Sequence, residues 1–297
     1  MNGFMTALRS EIFVAKHTFV SKLALIFPAL IVMTQNFFSW VADTGNSARN
    51  SLISGGSFDE VIASNAYGYF VDSINTGITM LALLMVCIAA HSFSYDRDSG
   101  FVRHILIRKV GRTTLILAKF VYLHILVLTS LTVLLITAYF STGFFWEYGP
   151  IVEDGFELIS EEEIIAEILL GLRLAVIPLP AAIGFGLMTS SIAQTATQAL
   201  MTALGVTLAV DVFKPSLGAY ADYLYARFLP SLVDTSYLSE VSRLVRGYSD
   251  VLVDDRILQM NLLIPVPTAI IFLCILSLIH ISEPTRRTPI SYAVFCL

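Results

Sequence analysis

The chain has 297 residues, 56% of them hydrophobic and 14% charged, against the roughly 25% charged residues of an ordinary soluble domain; its mean hydropathy is +0.76. That composition excludes a water-soluble globular fold and predicts an all-α polytopic membrane protein, each span needing about 20 apolar residues to cross a core of about 30 Å. The net charge of -5 is split, bases in one loop and acids in another, which reports orientation in a membrane and gives nucleic-acid binding no support.

The stretch from Met1 to Ser21 sets Phe4, Leu8, Ile12, Phe13 and Phe19 beside Arg9, Glu11, Lys16 and His17. The first group forms an apolar stripe at helical spacing and the second its polar flank, a pattern expected of a helix lying in the membrane interface. A cleaved leader is the rival reading, but the following run is 20 residues with Pro28 inside it and no clear small-residue cleavage site. Apolar runs then fall at 22–41, 70–93, 115–140, 164–188 and 196–213, with a sixth from 262 onward. Six spans are expected. Ser160-Glu-Glu-Glu163 has the form of a capping box, so the fourth helix is expected to begin there, with three carboxylates on the positive end of its dipole. Pro178 and Pro180 in the fourth span, and Pro265 and Pro267 in the sixth, each remove an amide donor and predict kinks. The 214–260 loop carries Tyr220, Tyr223, Tyr225, Phe228, Leu229 and Tyr237 among its charges and is expected to form short amphipathic helices. Cys87, Cys274 and Cys296 have no disulfide or metal spacing.

Lysines and arginines near the span ends alternate. Residues 1–22 hold three, the 42–69 loop one, the 94–114 loop five and the 141–163 loop none. The positive-inside rule therefore puts the N-terminus and the 94–114 loop in the cytoplasm and the acidic 141–163 loop outside. The 214–260 loop, with five bases and six acids, falls outside by parity alone.

The 94–114 loop runs from Asp96 and Asp98 through Gly100 to the short apolar stretch Val102, Ile105, Leu106 and Ile107, studded with Arg103, Arg108, Lys109 and Arg112. Physically this is either an ordinary positive-inside loop or a short amphipathic helix parallel to the membrane. The pattern of Asp96, Asp98, Gly100, Leu106, Arg112 and Lys119 resembles the signature of permease subunits of the type-2 ABC exporter family. The six-span layout, N-terminal elbow helix, nearly uncharged 189–195 turn and long loop before span six are also similar. Phe101 and Lys109 depart from the family's usual Thr or Ser and Pro. The resemblance implies an exporter permease in the prokaryotic cell membrane. Its cytoplasmic coupling helix, carried by Asp96, Asp98, Gly100, Ile105, Leu106, Arg108 and Arg112, would dock into a separate ATPase subunit. A second permease copy, identical or homologous, would complete it. The chain has no G-x-x-x-x-G-K-[ST] phosphate loop, so ATP and Mg would belong to the partner subunit and this chain would hold no cofactor and catalyse nothing itself.

Ionisable residues inside spans are costly unless paired or snorkelling. Lys119 is expected to snorkel to the cytoplasmic edge. Arg173 and Asp211 are candidates for pairing with one another if spans four and five pack. Asp72 reads as interfacial, and His91 and His124 as histidines satisfied by a neighbouring helix. Gly184 and Gly186 with Ala181 and Ala182 form a small-residue patch suited to close helix packing. No H-E-x-x-H or G-x-S-x-G motif occurs. The rival functions are an ion-coupled secondary transporter, which would need unwound spans and an inverted repeat, and a scaffold or intramembrane enzyme without a partner ATPase.

Residues 276–297 resemble a translated sequencing adapter, with Arg287, Thr288 and Pro289 in the place of a sample index. On that reading the genuine part of span six, 262–275, is only 14 residues, about 21 Å at 1.5 Å per residue, and the natural chain is expected to continue differently past Ile275.

Overall fold

The computed structural model describes residues 3–53, 65–100, 111–153, 156–246 and 255–282. Helix α1 (Gly3–His17) leads into α2 (Phe19–Ile53), α3 (Ala66–Asp98) and α4 (Arg112–Phe145); a hairpin, β1 (Ile151–Glu153) and β2 (Phe156–Ile159), precedes α5 (Glu161–Val176). Then come α6 (Leu179–Ile192), α7 (Ala196–Phe213), 3-10 segments Lys214–Tyr223 and Tyr225–Arg227, α8 (Tyr237–Val245), α9 (Asp255–Leu263) and α10 (Pro265–Ser282). Six helical stretches are long and apolar enough to cross a membrane, Phe19–Arg49, Ala66–Asp98, Thr113–Phe145, Glu161–Ile192, Ala196–Tyr223 and Arg256–Ser277. An all-α polytopic membrane protein follows from them. The side of the bundle carrying α1 is called proximal here, and the opposite side distal.

Most local expectations are met for identifiable reasons. Ser160 Oγ accepts the Glu163 amide at 3.3 Å and starts α5. Asn65 caps α3 by accepting the Tyr67 amide at 3.0 Å. The fourth span breaks at Ile177 and Pro178, where α5 gives way to α6, because Pro178 has no amide to continue the ladder. Pro28, by contrast, sits inside an unbroken helix. Helix α2, which holds the first span, runs on to Ile53 rather than ending near 41, and the hairpin Ile151–Ile159 stands where only an acidic loop is expected. The described parts of the 214–260 stretch form short helices, and α8 buries Leu238, Val241 and Val245 while Glu240 and Arg243 pair at 3.2 Å on its other side. The sixth helix continues through Leu276, which is 2% exposed in the core. Residues 283–297, with Cys296 and most of the adapter-like tail, lie outside the described residues.

Helix α3 is the hub. Two thirds of its span is buried, against 17% for the α7 span and 28% for the first. It packs on α6 through small residues: a Cβ on Gly186 would lie 2.7 Å from Ala89 Cβ and 2.8 Å from the Val86 carbonyl oxygen. Backbone cannot yield as a flexible side chain would, so overpacking here carries a penalty of order 1–3 kcal/mol. Distally, Asn36 on α2, buried, donates to Ser141 Oγ and Thr142 Oγ1 of α4 at 2.7 and 3.1 Å. Gly186→Ala is therefore expected to lower the thermal midpoint in detergent by several degrees. Gly205→Ala, where nothing lies within 4 Å, should leave it unchanged; equal midpoints for the two variants would contradict this packing.

Candidate functional site

At the proximal end of the bundle Lys119 lies in α4 one helical turn past Leu115, 3% exposed. A side chain that buried is not snorkelling. Its Nζ stands 3.0 Å from Glu11 Oε1 on α1 and 2.6 Å from Asp96 Oδ2 on α3. Ala7, Phe93, Leu115 and Ala118, with Phe4 and Leu8 packed against them, form a separate apolar cluster around this end of the bundle. Excluding water strengthens the attraction and makes breaking it costly, because a lone buried charge forfeits about 3–5 kcal/mol.

The sequence pattern assigns Glu11 to the polar flank of α1. The structure puts it on the buried face with Ala7. Two carboxylates share one ammonium, leaving the cluster one negative charge in excess. Burial pushes the Glu11 carboxyl above its ordinary value, outweighing the pull of Lys119, and Asp96 pushes the same way.

The three consecutive charged residues that end α3 each hold a different element. Asp96 binds Lys119 of α4. Arg97 donates to the Ala193 carbonyl in the turn between α6 and α7. Asp98 accepts the Ala196 amide at 2.8 Å, a carboxylate on the first residue of α7 and on the positive end of its dipole. One turn earlier, the amides of Phe93 and Ser94 donate to Ser190 Oγ of α6 at 3.1 and 2.8 Å. The end of α3 is thereby tied to α1, α4, α6 and α7 at once. Ser99 and Gly100 then close the helix, with the Ser99 amide on Tyr95 O and the Gly100 amide on Arg97 O. Gly100 has φ +74, a left-handed helix stop that suits glycine.

Of the loop residues singled out in sequence, Asp96, Asp98 and Gly100 fall in this unit. Ile105, Leu106 and Arg108 lie outside the described residues. Arg112 opens α4, and its side chain lies outside the described residues too. The uncharged turn after α6 is in place, its Thr195 hydroxyl accepting the Gln198 amide at 3.2 Å as the cap of α7.

Asp211 does not meet Arg173. Its Oδ1 lies 2.8 Å from Lys214 Nζ one turn on, Lys214 being 1% exposed, and its Oδ2 accepts the Leu232 amide at 2.9 Å. A D-x-x-K spacing at the end of a span was the signal for this pair. Arg173 is exposed on α5 and makes no ion pair with any described residue. Asp72, at the distal end of α3, accepts from Arg246 and from Ser242 of α8. His124 Nδ1 is bonded to Phe120 O of its own helix at 2.7 Å, not to a neighbouring helix, and His91 stacks on Tyr95. Cys87 and Cys274 are free thiols, and no group of three metal-ligating side chains occurs among the described residues. No protein family, curated protein or solved structure matches the chain.

The raised Glu11 carboxyl has a calculable sign. The folded protein holds that proton more tightly than the unfolded chain, so the stabilisation is full below the ordinary value of 4.5 and is lost as pH rises through the folded value. Thermal midpoints of purified protein are expected to fall with rising pH on the alkaline side of 4.5, and Glu11→Gln should flatten that fall. Lys119→Met should destabilise at every pH above it. A slope unchanged by Glu11→Gln would contradict the assignment.

Proposed function

We propose that the chain is the permease subunit of an ATP-driven transporter, an exporter of the type-2 ABC kind, working with a cytoplasmic ATPase chain and a second permease copy. The observation that supports this reading is the proximal unit around Asp96, Arg97, Asp98 and Lys119. A loop that receives force must begin on something rigid. Here the segment that follows Gly100 leaves from a helix end fastened to α4, α6 and α7 and, through Lys119, to α1.

On this reading α1 is the elbow helix, lying in the interface on the cytoplasmic side, and residues about 95–112 are the coupling element. Ile105 and Leu106 would anchor in a groove of the ATPase, with Arg108 and Arg112 setting register at its rim. Asp96 and Asp98 have a different part from rim contacts. Their carboxylates are engaged within the chain, so they carry displacement of the loop inward to α4, α1 and α7. ATP and Mg would act in the partner. The N-terminus would face the cytoplasm, as the Lys and Arg alternation requires.

A second reading has one observation in its favour. Span four is interrupted at Ile177–Pro178, where both residues keep right-handed helical backbone, a milder form of the helix discontinuity at which ion-coupled secondary transporters bind substrate. Substrate uptake into vesicles driven by an ion gradient without nucleotide would favour it.

The experiment for the first reading uses the intact complex from its native membrane. Gly100→Val forces a side chain into a left-handed backbone, at a cost of roughly 1–2 kcal/mol, in open space where nothing lies within 4 Å. Insertion and folding are expected to survive. ATP hydrolysis is expected to lose its stimulation by substrate or its link to transport, and Arg112→Ala should behave alike. Transport and hydrolysis coupled as in the unaltered complex would count against the proposal.

A further inference from the structure

The proximal unit is not the only built feature of the molecule. A cavity of about 210 Å³ lies toward the distal side, between α3, α6, α7, α10 and the 3-10 segment at Tyr225, lined among others by Val86, Ala182, Phe185, Val206, Tyr225 and Phe272. It is larger than the roughly 150 Å³ apolar cavity that stays dry and takes up benzene. Two large apolar residues of its lining, Val206 and Leu232, are 42% and 57% exposed. They mark a mouth on the side of α7, the least buried of the six spans.

The hydrogen-bonding capacity of the lining is almost wholly used. Thr79 and Thr207 donate to carbonyls of their own helices, Asn75 O and Ala203 O. Asp211 is held by Lys214 and by the amides of Leu232 and Val233. Ser231, at the edge, takes Lys214 and donates to Val233 O. No charge is left over for a ligand, since the only ionised group in the lining is already neutralised. Tyr225 is the exception. Its ring meets Phe272 edge-on at 6.0 Å, and its hydroxyl has no hydrogen-bond partner among the described residues. Burial alone pushes that phenol above its ordinary value, so it stays an O–H, able to donate one bond and to accept.

We propose that this cavity is a binding site for a neutral amphiphile, one hydrocarbon chain entering past Val206 with a single hydroxyl or ester carbonyl that bonds to Tyr225. The apolar walls supply the affinity by burial. Tyr225, one of the lining residues, offers a phenol O–H to one polar group of the ligand. An anionic or cationic head is disfavoured, because it would be buried without a counter-charge. The proposal does not rest on the transporter reading. Its chemistry is shared by a chain of a bilayer lipid and by a free long-chain alcohol.

The test applies a diazirine-bearing analogue of 1-octanol to the full chain, both in phosphatidylcholine nanodiscs and after delipidation in detergent, with adducts located by mass spectrometry. Adducts are expected at Val206, Tyr225 and Phe272 and competed by 1-octanol but not by octanoate. Tyr225→Phe, which keeps the shape, should weaken labelling roughly 2- to 10-fold, the range of one hydrogen bond. Val206→Trp, at the exposed rim where folding is least at risk, should abolish it. Labelling in both preparations identifies a free amphiphile as the occupant, and labelling only after delipidation identifies a lipid chain already in place. Adducts spread evenly over exposed positions such as Phe38 and Ile270, equal competition by octanoate, no labelling in either preparation, or no effect of Val206→Trp would each overturn the proposal.

Discussion

A lysine ammonium held away from water between two carboxylates is the constraint on which the proximal half of this structure depends. Lys119 in α4 meets Glu11 of α1 and Asp96 of α3 within hydrogen-bonding distance, under a cover of apolar side chains. None of the three could be buried alone. The two carboxylates repel one another and are tolerated because Lys119 lies between them, and the penalty for separating the ammonium from them is what fixes α1 to the end of α3. The neighbouring Arg97 and Asp98 extend the same logic to the turn before α7 without a buried charge, using a carbonyl and a helix amide as partners.

The distal half solves the same problem differently. Asp211 and Lys214 are neighbours on one turn, so their pairing costs little chain ordering and needs no other span. Its effect is to seat the loop after α7, since the same Asp211 carboxylate accepts the amides of Leu232 and Val233. Arg246 and Ser242 then bring α8 onto Asp72 at the end of α3. Helix α3 thus collects polar partners at both ends and close backbone contacts in between, which explains why it is the most buried span. The arrangement has one stiff hub with less buried helices around it, α2, α7 and α10.

Much of this was legible in the residues, and the failures have a common cause. Apolar run lengths gave six spans, and the capping box and Pro178 gave the start and the break of the fourth. Each of these is a local property of a short window. Pairing between distant residues is not. Lys119 reads as snorkelling because one span shows no sign of Glu11 more than a hundred residues away, and the bulky residues of α1 outweigh the quieter Ala7 to Glu11 spacing that puts Glu11 on the buried face. Asp211 was offered Arg173 across a helix interface when a closer cation stood one turn further along. The hairpin Ile151–Ile159 escapes notice because its strands are very short and acid-rich, with Ile151 and its cross-strand partner Ile159 turned to the core. Ile105, Leu106 and Arg108, which the resemblance assigns to a coupling helix, lie outside the described residues.

On the transporter reading, the segment after Gly100 delivers force from a nucleotide-binding partner to the bundle. Lys109 sits in that segment and offers an amine to a lysine-reactive cross-linker. The most direct measurement is cross-linking mass spectrometry on the complex purified from its native membrane through a tag on this chain. The account predicts that Lys109 is joined to a separate chain carrying a G-x-x-x-x-G-K-[ST] phosphate loop. Cross-links from Lys109 that reach only this chain, in a preparation that contains no nucleotide-binding protein and hydrolyses no ATP, would contradict it.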